Sequence, residues 1–411
     1  MVRFYTQSKL CQILICRRAI SMDHLRLHPL FEALPHEVQS IKTLEDVKQF
    51  RQDTWQWDAL HQGRCTTSQA EAALGFLEPK TAALLEIPRS LRNKNRSHEA
   101  YNRLQQPALR TIHDMVTNLI ENETFDFTQS RDKHQEDQGV WQKMNNHHGA
   151  DNADTRPQYY YLQKKYPFAA RYIPTLTRDE LYKRKQRIEK RPYRSSLQAR
   201  MSWGTAQEPT AILTALNYLY NNVDSNIKVE EVGMCGASIQ TETDLLIGAS
   251  PDAVIRYPNG TLEALEVKNH CPFISFSGKN KKFSIRHFEL EGTVPNVYIP
   301  QLMMEMYCLG NACQSGLMVR QTATNGAIIL RIHRNDTWLN EMMYWLQEFY
   351  SRYVLPQKPP EDNFFWNEPR YQQFIQSTKN DIQIDVVDTI PHSSIQRVLS
   401  SNKEFLPLFL D

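Results

Sequence analysis

The residue types best suited to chemistry fall in one short stretch. Pro251-Asp252 is followed, after thirteen intervening residues, by Glu266-Val267-Lys268. Leu245 to Arg256 and Thr261 to Lys268 read as two strands joined by Pro258-Asn259-Gly260. Asn-Gly between alternating apolar runs is a strong hairpin signal. With Asn259 and Gly260 as a two-residue loop, Asp252 falls across from Val267 and beside Glu266. Glu266 and Lys268 are two apart, so they share one face of their strand, and Leu265 and Val267 share the other. Two carboxylates held close together repel unless a cation sits between them or one is protonated. Oxygen ligands suit Mg²⁺. Such an ion lowers the pKa of a water and neutralises charge in a transition state. A lysine beside it can position that water for attack on phosphorus. The plainer reading is a solvated strand face carrying cross-strand ion pairs.

Other elements must position these residues. Thr210 to Tyr220 has helical periodicity, with Ile212, Leu213, Leu216, Leu219 and Tyr220 on one face. Pro209 suits a first turn, which puts Glu208 at the very start of that helix. Ser68 to Gly75 reads as a short amphipathic helix stopped by Gly75. Asp336 to Tyr353 reads as an amphipathic helix with Trp338, Leu339, Met342, Trp345, Leu346 and Phe349 inward and Asp336 as N-cap. Met303, Met304 and Met306 read as core filler. From Arg178 to Arg200 nine Lys/Arg, Arg194 and Arg200 among them, stand against three acids. Clustered cations on one element are the expected footprint of a nucleic-acid surface, and a solvated charged helix is the alternative. A second basic patch comprises Lys279, Lys281, Lys282, Arg286 and His287.

Together these features resemble the PD-(D/E)XK nuclease superfamily, and within it the phage lambda exonuclease and YqaJ-like viral recombinase branch. Four segments in the family's order carry the resemblance. They are Trp57 to Gly75, Trp203-Gly204-Thr205-Ala206-Gln207-Glu208, Gly248 to Lys268, and Tyr298-Ile299-Pro300-Gln301. The resemblance implies an α/β fold with a restriction-endonuclease-like core: a central mixed sheet of about five strands flanked by helices, interrupted by a helical or irregular insertion. It implies Asp252 and Glu266 as metal ligands, completed by the Val267 carbonyl, with Glu208 binding directly or through water. Lys268 would position the attacking water, and Gln301 would support the site or the scissile phosphate. Ser68 matches a serine that helps hold a terminal phosphate. Where the family usually has Arg, this chain has His61, which lacks the bidentate fork of Arg; Arg64 is the nearest substitute. The implied activity is Mg²⁺-dependent (or Mn²⁺-dependent) hydrolysis of DNA phosphodiesters, most readily by an exonuclease, in recombination or repair. A catalytically silent DNA-binding module and a structure-specific endonuclease are the alternatives. DNA is the implied partner. Related exonucleases also form homo-oligomeric rings or work with a recombination partner protein.

The whole chain sets outer bounds. Its 411 residues carry 41% hydrophobic and 23% charged side chains, which excludes a wholly disordered or collagenous protein. The net charge of +2 announces no nucleic-acid partner, so any such signal is local. Seven cysteines without CxxC spacing fit a reducing compartment and no structural zinc site. No apolar run approaches the roughly 18 residues of a membrane span, and no P-loop motif occurs. Residues 1–43 read as a tail, basic and free of acids until Asp23, in the manner of a transit peptide. An intracellular location is expected, nuclear or organellar (mitochondrial for instance) in a eukaryote and cytoplasmic otherwise. Residues 44–88 read as the N-terminal helical part of the core, 89–200 as a charged insertion, 201–355 as the nuclease core and 356–411 as a C-terminal extension.

Overall fold

The structure, a computed structural model, describes residues 25–35, 41–52, 54–89, 91–92, 95–111, 196–275, 283–398 and 405–407. In chain order, β1 (Phe31–Glu32) precedes α1 (Trp55–Leu60), β2 (Arg64–Thr66) and α2 (Thr67–Ala73). Then come α3 (Pro79–Leu84), α4 (Arg96–Leu104), α5 (Ser196–Asn222), β3 (Lys228–Glu230) and β4 (Leu246–Gly248). The hairpin follows as β5 (Ala253–Arg256) and β6 (Leu262–His270), then β7 (Phe273–Ser275), β8 (Phe283–Ile285) and α6 (Ile299–Leu309). Next are β9 (Cys313–Thr322), β10 (Gly326–His333), α7 (Asp336–Phe349), α8 (Pro369–Asn380) and β11 (Ile384–Ile390).

One mixed sheet has the order β1-β3-β5-β6-β9-β10-β11. The fold is α/β, with seven strands among the described residues where about five were expected. The two-residue β1 lies at one edge, and β11, from beyond residue 355, lies at the other. β6 is therefore the central strand. It runs antiparallel to β5 and parallel to β9. A parallel neighbour needs a crossover connection, and α6 lies in that crossover. Leu265 and Val267 pack on one side of the sheet with Ile212, Leu216 and Leu219 of α5. Ala264 packs on the other with Leu302 and Met303 of α6, Trp345 of α7 and Phe374 of α8. Strand alternation then turns Glu266 and Lys268 toward the α6 side.

The hairpin register differs by one residue from expectation. The loop has three residues, Pro258 to Gly260, not two. The Tyr257 N–H donates to the Thr261 carbonyl at 3.0 Å, and the Gly260 N–H to the Tyr257 carbonyl at 2.9 Å. Gly260 takes φ +86°, the left-handed residue of a three-residue hairpin. Ala253 pairs with Leu265, so Asp252, one step beyond the ladder, comes opposite Glu266. Nor is Leu245 to Arg256 one strand. β4 pairs instead with β2 in a separate two-stranded sheet. Pro251 cannot donate to a ladder, and the break leaves Asp252 outside the strand.

Helix α5 begins at Ser196, so Pro209 is interior and Glu208 is not at its start. An interior proline costs about 3 kcal/mol. Burial of Ile212, Leu216 and Leu219 offsets this at about 1.5–3 kcal/mol each. Tyr220, expected on the buried face, is 45% exposed. Helix α7 buries Trp338, Leu339, Met342, Trp345, Leu346 and Phe349 as expected, but its N-cap is Asn335, whose side chain accepts from the Trp338 N–H. Asp336 instead meets Arg334 at 2.7 Å.

Gly260 has open space where a Cβ would be, so its substitution tests backbone conformation alone. Gly260→Ala is expected to lower unfolding free energy by about 1–2 kcal/mol, and Gly260→Asn by less, measured by urea denaturation.

Candidate active site

Asp252 sits on the break before β5. Its Oδ2 accepts the Val267 N–H at 2.7 Å, which pins the carboxylate against the middle of β6. The break is itself braced. Gln52 Nε2 donates to the Pro251 carbonyl at 2.8 Å, and Trp57 Nε1 donates to Ser250 Oγ at 2.8 Å. Glu266, one position before Val267, is 3% exposed. The Lys268 ammonium donates to Glu266 Oε1 and lies over the Tyr298 ring, 5.3 Å from its centroid.

Charge is unbalanced in this space. Burial, then the negative charges of Glu266 and Glu208, push the Asp252 carboxyl well above its ordinary range. Burial, then Glu266, push Glu208 up to about 7, with Lys268 opposing. Burial by itself would lower the Lys268 ammonium, but Glu266 and Asp252 outweigh it and hold the lysine charged. Asp252, Glu266, Glu208 and Lys268 are thus brought together, as expected.

Gln301 lies in the first turn of α6, and its Nε2 donates to Glu305 Oε1 at 3.0 Å. Glu305 is a residue that the sequence reading missed. It is fully buried, and its Oε2 has no hydrogen-bond partner among the described residues. Burial, then Glu266, push this carboxyl well above its ordinary range too. A signal existed: Glu305 is the lone acid in the apolar run Leu302 to Met306. Met303, Met304 and Met306 are core residues, as read.

Asp252, Glu266 and the Val267 carbonyl offer hard oxygen donors around an excess of negative charge. Among the described residues no three His, Cys, Asp or Glu side chains form a cage for an ion. Mg²⁺ does not require one, because it commonly takes one or two carboxylates and keeps several waters. The donor set therefore fits a hard divalent ion.

A second feature adjoins the site. Trp57, His61, Ser68 and Arg103 help line a cavity of about 460 Å³. The His61 ring stands edge-on to Trp57, with Nδ1 2.8 Å from the Trp57 carbonyl. Ser68 Oγ is 3.2 Å from Thr66 Oγ1. Arg64 is elsewhere. It is 1% exposed, and its guanidinium donates to the carbonyls of Leu60, Ala237, Ile247 and Leu109. It fastens α1 to β4, and its burial among these carbonyls keeps it from the phosphate-facing role expected of it. Arg103, an exposed side chain on α4, brings a guanidinium to the cavity instead.

Of the basic residues singled out, Arg200 is exposed on α5, eight residues before Glu208, or about 12 Å along the axis. Arg286 and His287 are exposed. Arg194, Lys279, Lys281 and Lys282 lie outside the described residues, as does the stretch 178–195. Arg320, not foreseen, pairs in register with Lys268. It donates to the carbonyls of Thr293 and Glu291 at 2.9 and 3.3 Å.

Cys65, Cys235, Cys271, Cys308 and Cys313 are free thiols. Among the described residues, no helix is long and apolar enough to cross a membrane.

Two measurements check this account. A carboxyl whose folded pKa is raised stabilises the fold below its unfolded pKa, and that stability is lost as pH rises through the folded value. In a chelator, unfolding free energy should therefore fall between pH about 4.5 and about 7. Glu208→Gln should flatten this slope in denaturation curves. Arg64→Leu should cost about 3 kcal/mol or more, because it strands buried carbonyls. It should leave the salt dependence of any DNA binding unchanged.

Residues 171–312 match the family model of the YqaJ-like viral recombinase domain. Two solved structures of LHK-Exo, an alkaline exonuclease from Laribacter hongkongensis, are also similar. The one in complex with dAMP is 21% identical, with a TM-score of 0.28 over 42% of this chain and 76% of its own. The other is 18% identical, with a TM-score of 0.27 over 45% and 84%. No curated protein gives a significant match. The matched span contains Glu208, Asp252, Glu266, Lys268, Gln301 and Glu305.

Proposed function

We propose that the protein is a metal-dependent DNA nuclease that hydrolyses phosphodiester bonds, working as an exonuclease in recombination or repair. The observation that carries the reading is the cluster of the half-buried Asp252 and the buried Glu266 around Lys268 on the central hairpin, with the buried Glu305 beside it. The family match over the same residues supports it. A structural protein has little reason to bury several acids with one lysine, since each buried charge is costly unless it is paired.

Asp252, Glu266 and the Val267 carbonyl would hold Mg²⁺ or Mn²⁺, with Glu208 close by or linked through water. The ion's part is to acidify a water and to offset charge on the phosphorus. Asp252 is kept in place by the Val267 N–H. Lys268 holds its charge at neutral pH and orients the attacking water through its ammonium. Gln301 supports that water or the scissile phosphate. Ser68, His61 and Arg103 would receive the terminal phosphate of a strand end in their shared cavity, and Arg200 and Arg286 would meet the DNA backbone. Backbone contacts of this kind make binding weaken as salt rises.

The test is digestion of linear duplex DNA with Mg²⁺ or Mn²⁺. Asp252→Asn and Lys268→Ala should each lower the rate by about 100-fold or more while retaining DNA binding in a gel-shift assay. Equal digestion by all three proteins would refute the assignment. Binding without digestion by the wild type would favour a silent DNA-binding module. Cutting of a closed circle would indicate an endonuclease, because an exonuclease needs an end.

A further inference from the structure

The helix α6 is apolar except for two residues one turn apart. Gln301 is half-buried and Glu305 wholly so, while Leu302, Met303, Met304 and Met306 between and beside them are core. A carboxyl in such a place is costly, and an apolar residue of similar size would fit the surrounding core. Its one hydrogen bond among the described residues is the one it accepts from Gln301 Nε2, at 3.0 Å, and its other oxygen has none. A residue i+4 along a helix meets its partner side by side, so the bond fixes the end of the Gln301 side chain. The amide is a group with two different faces, oxygen and NH₂, joined by a soft terminal torsion. An acceptor at one end decides which face lies there and which turns away.

We infer that Glu305 is a positioning residue: it clamps the Nε2 of Gln301 and so holds the Gln301 amide oxygen turned away from itself. This inference rests on the nuclease reading for its consequence, but not for its geometry. Under that reading, the clamp presents a fixed acceptor to the attacking water or to the Lys268 ammonium. Removing the clamp leaves the amide present but rotating, which affects the chemical step more than DNA binding.

The experiment uses the full chain and four variants: Gln301→Ala, Glu305→Leu, Glu305→Gln and the double variant Gln301→Ala/Glu305→Leu. On duplex DNA with Mg²⁺, Glu305→Leu is expected to lower kcat by about 10-fold or more, with KM changed less than about twofold. The double variant should be no slower than Gln301→Ala, because residues acting as a unit are not additive. Glu305→Gln retains an acceptor oxygen and should restore most of the rate. An unchanged kcat in Glu305→Leu, or independent losses that multiply in the double variant, overturns the inference. The second readout needs no activity. In ¹⁵N-glutamine-labelled protein, the side-chain amide pair absent from Gln301→Ala should be dispersed in the wild type and in Glu305→Gln. In Glu305→Leu it should collapse toward free-amide shifts. Signals identical in all three overturn the clamp. Failure of the wild type to digest DNA would instead overturn the nuclease reading, with the amide spectra still deciding the clamp.

Discussion

A crowd of buried and half-buried carboxyl groups at the centre of the sheet is the constraint that organises this molecule. Glu266 stands on the central strand, Asp252 is tied to that strand's backbone, and Glu208 and Glu305 approach from helices on either side. Lys268 is the cation paired directly with this group. Like charges at such depth can persist only by taking protons or by sharing a cation. The raised carboxyls of Asp252, Glu208 and Glu305 are the first solution, and the hard oxygen donors beside them invite the second.

The surrounding architecture makes that arrangement rigid. The parallel pairing of β6 with β9 requires a crossover, and the crossover supplies α6, which carries Gln301 and Glu305 over the strand that carries Glu266. The strand break at Pro251 is held from outside by Gln52 and Trp57. Trp57 also helps line the cavity with His61, Ser68 and Arg103. One indole thus connects the segment that bears Asp252 to that cavity. Arg64 contributes by fastening backbone, not by meeting a phosphate.

The central chemistry was legible because it is local. Pro251-Asp252 and Glu266-Val267-Lys268 are joined by a hairpin whose existence Asn259-Gly260 announces, and a one-residue change of register still left Asp252 against Val267. Helix α7 was legible because its apolar period is long. What escaped depends on tertiary context. The first turns of α5 run straight through Pro209, because burial on both sides outweighs a local penalty. The edge strand β11 was not foreseen, since a strand's place in a sheet is fixed by partners distant in sequence. Arg64 was expected at a phosphate and is instead buried among carbonyls, because charge and spacing do not say which guanidinium is enclosed. Glu305 was passed over as one acid in an apolar run, although that isolation was itself the clue.

The most direct measurement is calorimetric titration of the protein with Mn²⁺ near pH 7, repeated in two buffers of different ionisation enthalpy. The account predicts saturable binding with release of protons, since carboxyls held protonated by burial and by one another must give way to the ion. Asp252→Asn and Glu266→Gln should abolish it. Absence of binding in the wild type, or binding that survives both substitutions, would contradict the claim that this buried charge exists to hold a cation.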